Sequence, residues 1–405
     1  MPTIKRCSQL ITLMLIVTIM SLKVTQAQGQ VGIVVENPRA DVVFGQTVTF
    51  TAKITAPLPI KQVSLLFRGA NEESTRVETL QLAADGATTF TYDASLNILP
   101  PFDTIVFWYQ ATLDDGNTYT SSPNEVLYAD NRFPWRENTR ANVSVHWYAG
   151  DDAFGAAALD AAAAGMLEIN EVHPIALDQP VHVYIYSNVD DLRTTLQFDG
   201  PEWAGGHANT QLGIAFVAIA PGDSQKIEME TLIPHELAHV MMYRAIGGDV
   251  YAKQPIWLLE GFATNMELYP NLGYEETLKA AAAKNILIPF TELHASFPAD
   301  SGSAFQAYAQ SESFFNYIRG AYGNDAISKL TAAYGEGLSP SAAATKALGV
   351  PLTQLDVNWR ESVLGQNVTA VAVRNLSPYF VLMGLVLLVP IWGAIDLFIQ
   401  RRKRG

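Results

Sequence analysis

Twenty-one residues from Tyr379 to Ile399 carry almost no polar side chains and lead, one residue later, into Arg401-Arg402-Lys403-Arg404. About 20 apolar residues suffice to cross a bilayer as a helix, and a basic cluster at one end keeps that end in the cytoplasm. Pro390 and Asp396 interrupt the run, yet Asp396 lies within about two turns of the basic cluster and can reach toward the headgroups. The alternative, a buried core helix, leaves the basic tail without a purpose. The other end of the chain has a complementary signature: Lys5-Arg6, an apolar stretch from Leu10 to Leu22, and Thr25-Gln26-Ala27. This is the layout of a secretory signal peptide, 1–27, with an uncleaved anchor as its alternative. The expectation is a single-pass membrane protein of the cell surface. Its ectodomain lies outside, its anchor is 379–399, and its tail, 400–405, is cytoplasmic.

Setting the two ends aside changes the charge. Seven of the 26 Lys and Arg lie in them, which leaves 19 basic against 39 acidic residues in the ectodomain. Such an excess disfavours nucleic acid or an anionic lipid surface as a partner, because both reward basic patches. The only cysteine, Cys7, lies in the signal segment, so the mature chain folds without disulfides despite its exported location. That points to a bacterial surface protein. No feature of the sequence sets an oligomeric state.

Residues 28–130 read as all-β. Val48, Phe50, Ala52 and Ile54 alternate with polar residues, as do Ile105, Phe107, Tyr109 and Ala111, and Asp114-Asp115-Gly116-Asn117 is a turn cluster. Short strands at this spacing predict a sandwich of immunoglobulin or fibronectin type, serving as a spacer or adhesive module. A linker is expected at 131–140, around Phe133-Pro134-Trp135. Beyond it, strands at Ala141–Tyr148, Val181–Tyr186 and Leu212–Ile219 accompany an Ala-rich helix from Asp152 to Asn170, and the chain after residue 231 is mostly helical. Residues 141–365 are therefore an expected α+β domain, a small sheet plus helices, followed by a juxtamembrane segment at 366–378.

The chemistry concentrates in "HELAH", His235 to His239. Thr231 and Pro234 suit the first turn of a helix, and Gly247-Gly248 suits its end. Four residues apart on that helix, His235 and His239 project from one face and can share a metal ion. Glu236 sits about 100° around the axis, where it can reach a metal-bound water without occupying the metal. Zinc held by neutral imidazoles lowers the pKa of such a water toward neutrality, and a carboxylate can take its proton. The alternative is a buried structural helix that spells the same five residues.

A third ligand is needed, since catalytic zinc keeps one position open. Glu260 follows His239 by 21 residues, enough for a helix to end and a second to pass alongside. It stands among Trp257, Leu258, Leu259, Phe262 and Ala263, where an unpaired carboxylate is costly to bury. It is either a ligand or a solvated residue on the outer face of its helix.

The pair "HELAH" and "WLLEGFA" at this separation resembles the gluzincin metallopeptidases, most closely the compact peptidase MA-like domain of exported bacterial proteins, over roughly residues 140 to 365. The resemblance implies that one Zn2+ is bound by His235, His239 and Glu260, with Glu236 as general base and a peptide or protein as substrate. It also implies a transition-state donor. "AYAQS", Ala307 to Ser311, is similar to the family's segment and makes Tyr308 the candidate, with a core tyrosine as the alternative; Tyr243 and Tyr317 fit the apolar sides of their own helices. His146, His173, His182, His207 and His294 are expected to be structural. Zinc aminopeptidases of this group carry a glutamate that holds the substrate amine. At the corresponding place stands Gly205-Gly206-His207-Ala208-Asn209, which favours an endopeptidase, with Leu212–Ile219 as the edge strand that receives the peptide. The competing function is a non-enzymatic surface adhesion or sensor protein that retains a zinc-binding fold.

Overall fold

The computed structural model describes residues 32–172, 175, 179–197, 205–323 and 325–404. The expected signal peptide, with Cys7, and His173 lie outside them. The described residues form two compact units: one of 32–41, Val48–Tyr92 and Thr104–Val126, the other of Val42–Thr47, Asp93–Asp103 and everything from Leu127. Strands and helices are both present, an α+β chain.

The N-terminal strands are β1 (Val34–Val43), β2 (Thr47–Thr55), β3 (Ile60–Gly69), β4 (Arg76–Leu80), β5 (Ala87–Asp93), β6 (Thr104–Leu113), β7 (Thr118–Thr120) and β8 (Asn124–Leu127). One sheet has the order β1-β2-β5; the other runs β4-β3-β6-β7, with β8 also pairing β6. Burial alternates residue by residue along β6, the mark of a sheet with one covered face. Phe50 of the first sheet meets Phe67 and Phe107 of the second at 5.0 and 5.2 Å between ring centres, so the two covered faces share one core.

The second unit is built on a five-stranded mixed sheet, β12-β13-β11-β10-β9, of β9 (Arg136–Arg140), β10 (Val143–Trp147), β11 (Val181–Tyr186), β12 (Gly206–Asn209) and β13 (Ile214–Ala218). Strands β10, β11 and β13 run parallel, and the two edges, β9 and β12, run antiparallel to their neighbours. Two expectations are corrected here. Half of the presumed linker 131–140 is edge strand β9, because Arg136–Arg140 folds back in register on Val143–Trp147. Leu212–Ile219 is no edge either: β13 is flanked on both sides, and the edge left open among the described residues belongs to the glycine-bearing β12.

Helices α1 (Asp152–Val172) and α3 (Gln225–Ile246) cover one face of this sheet over Val145, Val183, Ala215 and Val217. The opposite face is aromatic, with Tyr184, Tyr186 and Phe216 against Leu192 of α2 (Val189–Leu196). Small residues let α1 lie close. A Cβ on Gly155 would overlap the Trp147 ring, and one on Gly165 would stand 2.7 Å from Cβ of Pro234 in α3. The remaining helices are α4 (Gly248–Tyr251), α5 (Ile256–Asn265), α6 (Gly273–Lys284), α7 (Ser301–Tyr322), α8 (Ala326–Gly335), α9 (Pro340–Leu348), α10 (Leu352–Ser362) and α11 (Val368–Arg404). α11 contains an exposed apolar stretch, Leu376–Ile395, long enough to cross a membrane. Most of the stretch expected as a separate juxtamembrane segment, 366–378, is therefore the start of this same helix.

Candidate metal centre

The helix carrying the His-Glu-x-x-His sequence starts earlier than its capping signals indicate. α3 begins at Gln225, so Thr231 and Pro234 lie inside it rather than at its start. A proline inside a helix leaves the carbonyl four residues back without its intrahelical donor. Here that carbonyl, Glu230 O, accepts the backbone N–H of Leu268 at 2.8 Å. The chain just beyond α5 is thereby tied to α3, and the residue next to the tie is Glu267.

α5 brings the third candidate ligand. Pro255 precedes its first turn, and Gly261 lets it press on α7: a Cβ there would come 2.6 Å from the Ser311 carbonyl oxygen. The result is convergence. Oε2 of Glu260 lies 3.3 Å from Nε2 of His235 and 3.6 Å from Nε2 of His239. The three ligand atoms all fall within 4.8 Å of one another. Ligands about 2.0–2.1 Å from a tetrahedral ion stand roughly 3.3 Å apart, so the spacing fits zinc. Among the described residues Oε2 is also a buried oxygen with no hydrogen-bond donor aligned on it, which suits it to a cation.

Both imidazoles are held from behind. Nδ1 of His235 is 3.0 Å from Oε1 of Glu267, and Nδ1 of His239 is 3.2 Å from the Tyr251 hydroxyl. With the proton on Nδ1 in each ring, both Nε2 lone pairs face Glu260. Burial by itself would depress the His235 imidazole, but Glu260 and Glu267 outweigh it and raise the group well above its ordinary value. Burial would likewise raise Glu260; His239 and His235 beside it hold the carboxyl well below the usual range instead. Glu236 differs. Its burial dominates, and the carboxyl is raised despite the two histidines.

His235, Glu236, His239 and Glu260 line one cavity of about 230 Å³, together with Gly206, His207, Ala208, Tyr251 and Tyr308. Tyr308 stands on α7 with its ring 6.1 Å from that of His235, and burial, with Glu260 and Glu236 nearby, raises its hydroxyl far above the ordinary value. β12 forms the facing wall. A Cβ on Gly206 would strike the Glu236 carboxylate, 2.9 Å from its Cδ, so only glycine lets the strand pass this close. Because Ala218 N donates to Gly205 O, the antiparallel alternation turns the backbone groups of Gly206 and Ala208 toward the open edge. His207, expected to be structural, lines the cavity; burial, with His239 nearby, pushes its imidazole down to about 4. His146 and His182 pair with each other on the sheet, and His294 packs near Tyr334, while Tyr243 and Tyr317 do not line the cavity.

Glu267 and Tyr251 were not singled out by sequence reasoning. Glu267 had a faint signal, an acidic residue two helical turns beyond Glu260. Tyr251 had none.

A family model for the peptidase MA superfamily matches residues 161–365, half of the chain. A search of curated protein sequences finds no match. Among solved structures, an M1 zinc metallopeptidase from Deinococcus radiodurans is 14% identical, with 81% of this chain and 93% of that one covered at a TM-score of 0.35. A carbohydrate-binding module of family 56, a beta-1,3-glucan binding domain, is 16% identical over 23% of this chain and 96% of its own, at a TM-score of 0.17. Likenesses this loose decide nothing about either unit. The family match does: with its two histidines and downstream glutamate inside the matched region, the chain belongs to the peptidase MA superfamily.

Proposed function

We propose that the protein is a membrane-anchored bacterial metallopeptidase whose catalytic unit faces outward and hydrolyses peptide bonds. One zinc ion is held by His235, His239 and Glu260, and Glu236 is the general base. One observation carries this: two imidazole nitrogens and a carboxylate oxygen from two helices converge within 4.8 Å of one another, in a cavity that also holds a second, buried glutamate. A purely structural site has no use for that second carboxylate.

Zinc bound there supplies a Lewis acid and makes a water acidic near neutral pH. Glu236 takes the proton from the attacking water and delivers it to the departing amine nitrogen. A buried carboxyl with a raised pKa is suited to hold a proton between those two events. The Tyr308 hydroxyl stays protonated and donates to the oxyanion that develops on the carbonyl. An extended peptide pairs with the open edge of β12 at Gly206 and Ala208, in the manner of an added strand. Ala208 offers no carboxylate to a free amine, so we read the activity as endopeptidase. Residues 28–130 we read as an immunoglobulin- or fibronectin-type module, 1–27 as a signal peptide, and α11 as the single-pass anchor with its basic end in the cytoplasm.

The test is zinc content and peptide-library cleavage of the detergent-purified protein, compared with Glu236→Gln. The variant is expected to keep its zinc and lose about 10³-fold in kcat/KM. Bound zinc with cleavage unchanged by the substitution favours the non-enzymatic surface protein instead. A wild type that takes up no supplied zinc overturns both. Strict dependence on a free N-terminus, judged with N-acetylated peptides, reverses the endopeptidase reading.

A further inference from the structure

The two histidines are supported unequally, one by a carboxylate and the other by a phenol. We propose that Tyr251 is the positioning residue for His239, its hydroxyl oxygen accepting the Nδ1–H bond that aims Nε2 at the metal. This rests on the zinc reading above.

A neutral imidazole carries its proton on either nitrogen, and only the Nδ1–H tautomer leaves Nε2 free to bind a cation. An acceptor facing Nδ1 selects that tautomer and sets the ring plane. The Tyr251 oxygen stands there at 3.2 Å.

The position of that oxygen is fixed from outside the cavity. Gly247 ends α3 at φ +80°, and Tyr251 N donates to Gly247 O at 2.9 Å, closing α4 as a single turn. The Tyr251 ring then stands 5.5 Å from that of Tyr243. Glycine is required at 248, where a Cβ would come 3.1 Å from Cζ of Tyr243.

The turn itself is docked on α8, more than 70 residues away in the chain. Gln254 Nε2 donates to Thr331 O at 3.1 Å, and Lys253 Nζ donates to Gly335 O at 2.9 Å. Val250 sits so close to Gly335 that a Cβ there would be 2.8 Å from its Cγ1. α8 lines no part of the metal cavity, yet it holds the turn that holds Tyr251. It acts as an outer brace of the centre.

The experiment uses the full chain in detergent micelles. Zinc affinity is read by competition with a chromogenic chelator, and the unfolding temperature is measured with and without zinc. Tyr251→Phe keeps the ring and removes only the acceptor, so zinc is expected to bind about 10–100-fold more weakly, while the unfolding temperature of the zinc-free protein is unchanged. Gly335→Ala, which pushes on Val250 without touching the cavity, is expected to weaken zinc by a smaller factor. Wild-type zinc affinity in Tyr251→Phe overturns the assignment, as does a loss matched by an equal fall in zinc-free unfolding temperature, which marks packing alone. Should Tyr251→Phe not fold, wild-type affinity in Gly335→Ala overturns it. If the wild type itself binds no zinc, the zinc reading is what fails; if the wild type binds and Tyr251→Phe binds equally, only this assignment does.

Discussion

The second unit holds two pairs of histidines that are largely shielded from solvent, and they come to opposite ends. His235 and His239 lie on α3 with Glu260 and Glu267 around them, and His235 is raised well above its ordinary value. His146 and His182 lie on neighbouring strands, Nε2 to Nδ1 at 3.1 Å, with Tyr184 stacked 4.3 Å from His146. Burial, and then His182, pushes His146 down to about 4, against a small opposing pull from Glu137. Burial lowers His182 too. Burial is common to both pairs. What separates them is the arrival of carboxylates at hydrogen-bonding distance in the first pair, which turns a proton-poor site into one suited to a cation.

The strongest way to break this contrast is to remove the converging carboxylate. Glu260→Ala is expected to cost about 4 kcal/mol of zinc binding, roughly the share of one ligand in a tightly held site, read by chelator competition; unaltered affinity removes Glu260 from the ligand set. The same substitution leaves the sheet pair untouched.

Next in size is the acid limb of stability. His146 stays neutral in the folded protein down to about pH 4, whereas an unfolded chain protonates it near 6.5. Its contribution is complete above about pH 6.5 and is lost as pH falls toward 4, on the order of 3 kcal/mol in all. In zinc-free protein His235 has the opposite sign: its contribution is complete below about pH 6.5 and is lost as pH rises through its raised folded value. Urea unfolding of zinc-free His146→Phe between pH 4 and 6.5 is expected to show a flatter slope than wild type. An identical slope refutes the depressed value.

A finer distinction comes from Glu267→Gln, which keeps an acceptor for His235 but removes its charge. Zinc is expected to bind about 10-fold more weakly, at the low end for such outer partners, while the pH slope from His146 stays as it was. The smallest effect is expected from Gly165→Ala, which pushes α1 off Pro234. A loss of about 1 kcal/mol in stability, with Nε2-to-Glu260 geometry and zinc affinity nearly preserved, would show α3 to be held by more than this one contact; a 10-fold loss of zinc affinity would show the opposite.

Much of the arrangement was legible beforehand because it is written along single helices. The four-residue spacing of His235 and His239 puts both rings on one face whatever surrounds them, and a carboxylate among Trp257, Leu259 and Phe262 announces that something charged must meet it. The alternation along β6 and the length of the Tyr379–Ile399 run are equally local. The start of α3 was misread for the same reason: Thr231 and Pro234 are true starting signals, but tertiary packing carried the helix through them once Leu268 N satisfied the carbonyl that Pro234 leaves open.

The sequence by itself determined which residues are able to bind a metal and on which helices they stand, since helical periodicity and apolar length are properties of short segments. Tertiary structure alone decided that β12 rather than β13 is the open edge, that Gly206 rests on the Glu236 carboxylate, and that Glu267 and Tyr251 stand behind the two histidines. Those relations depend on how α3, α5, α7 and the turn docked on α8 approach one another, and no local pattern records the distance of closest approach between segments that only the packed core brings together.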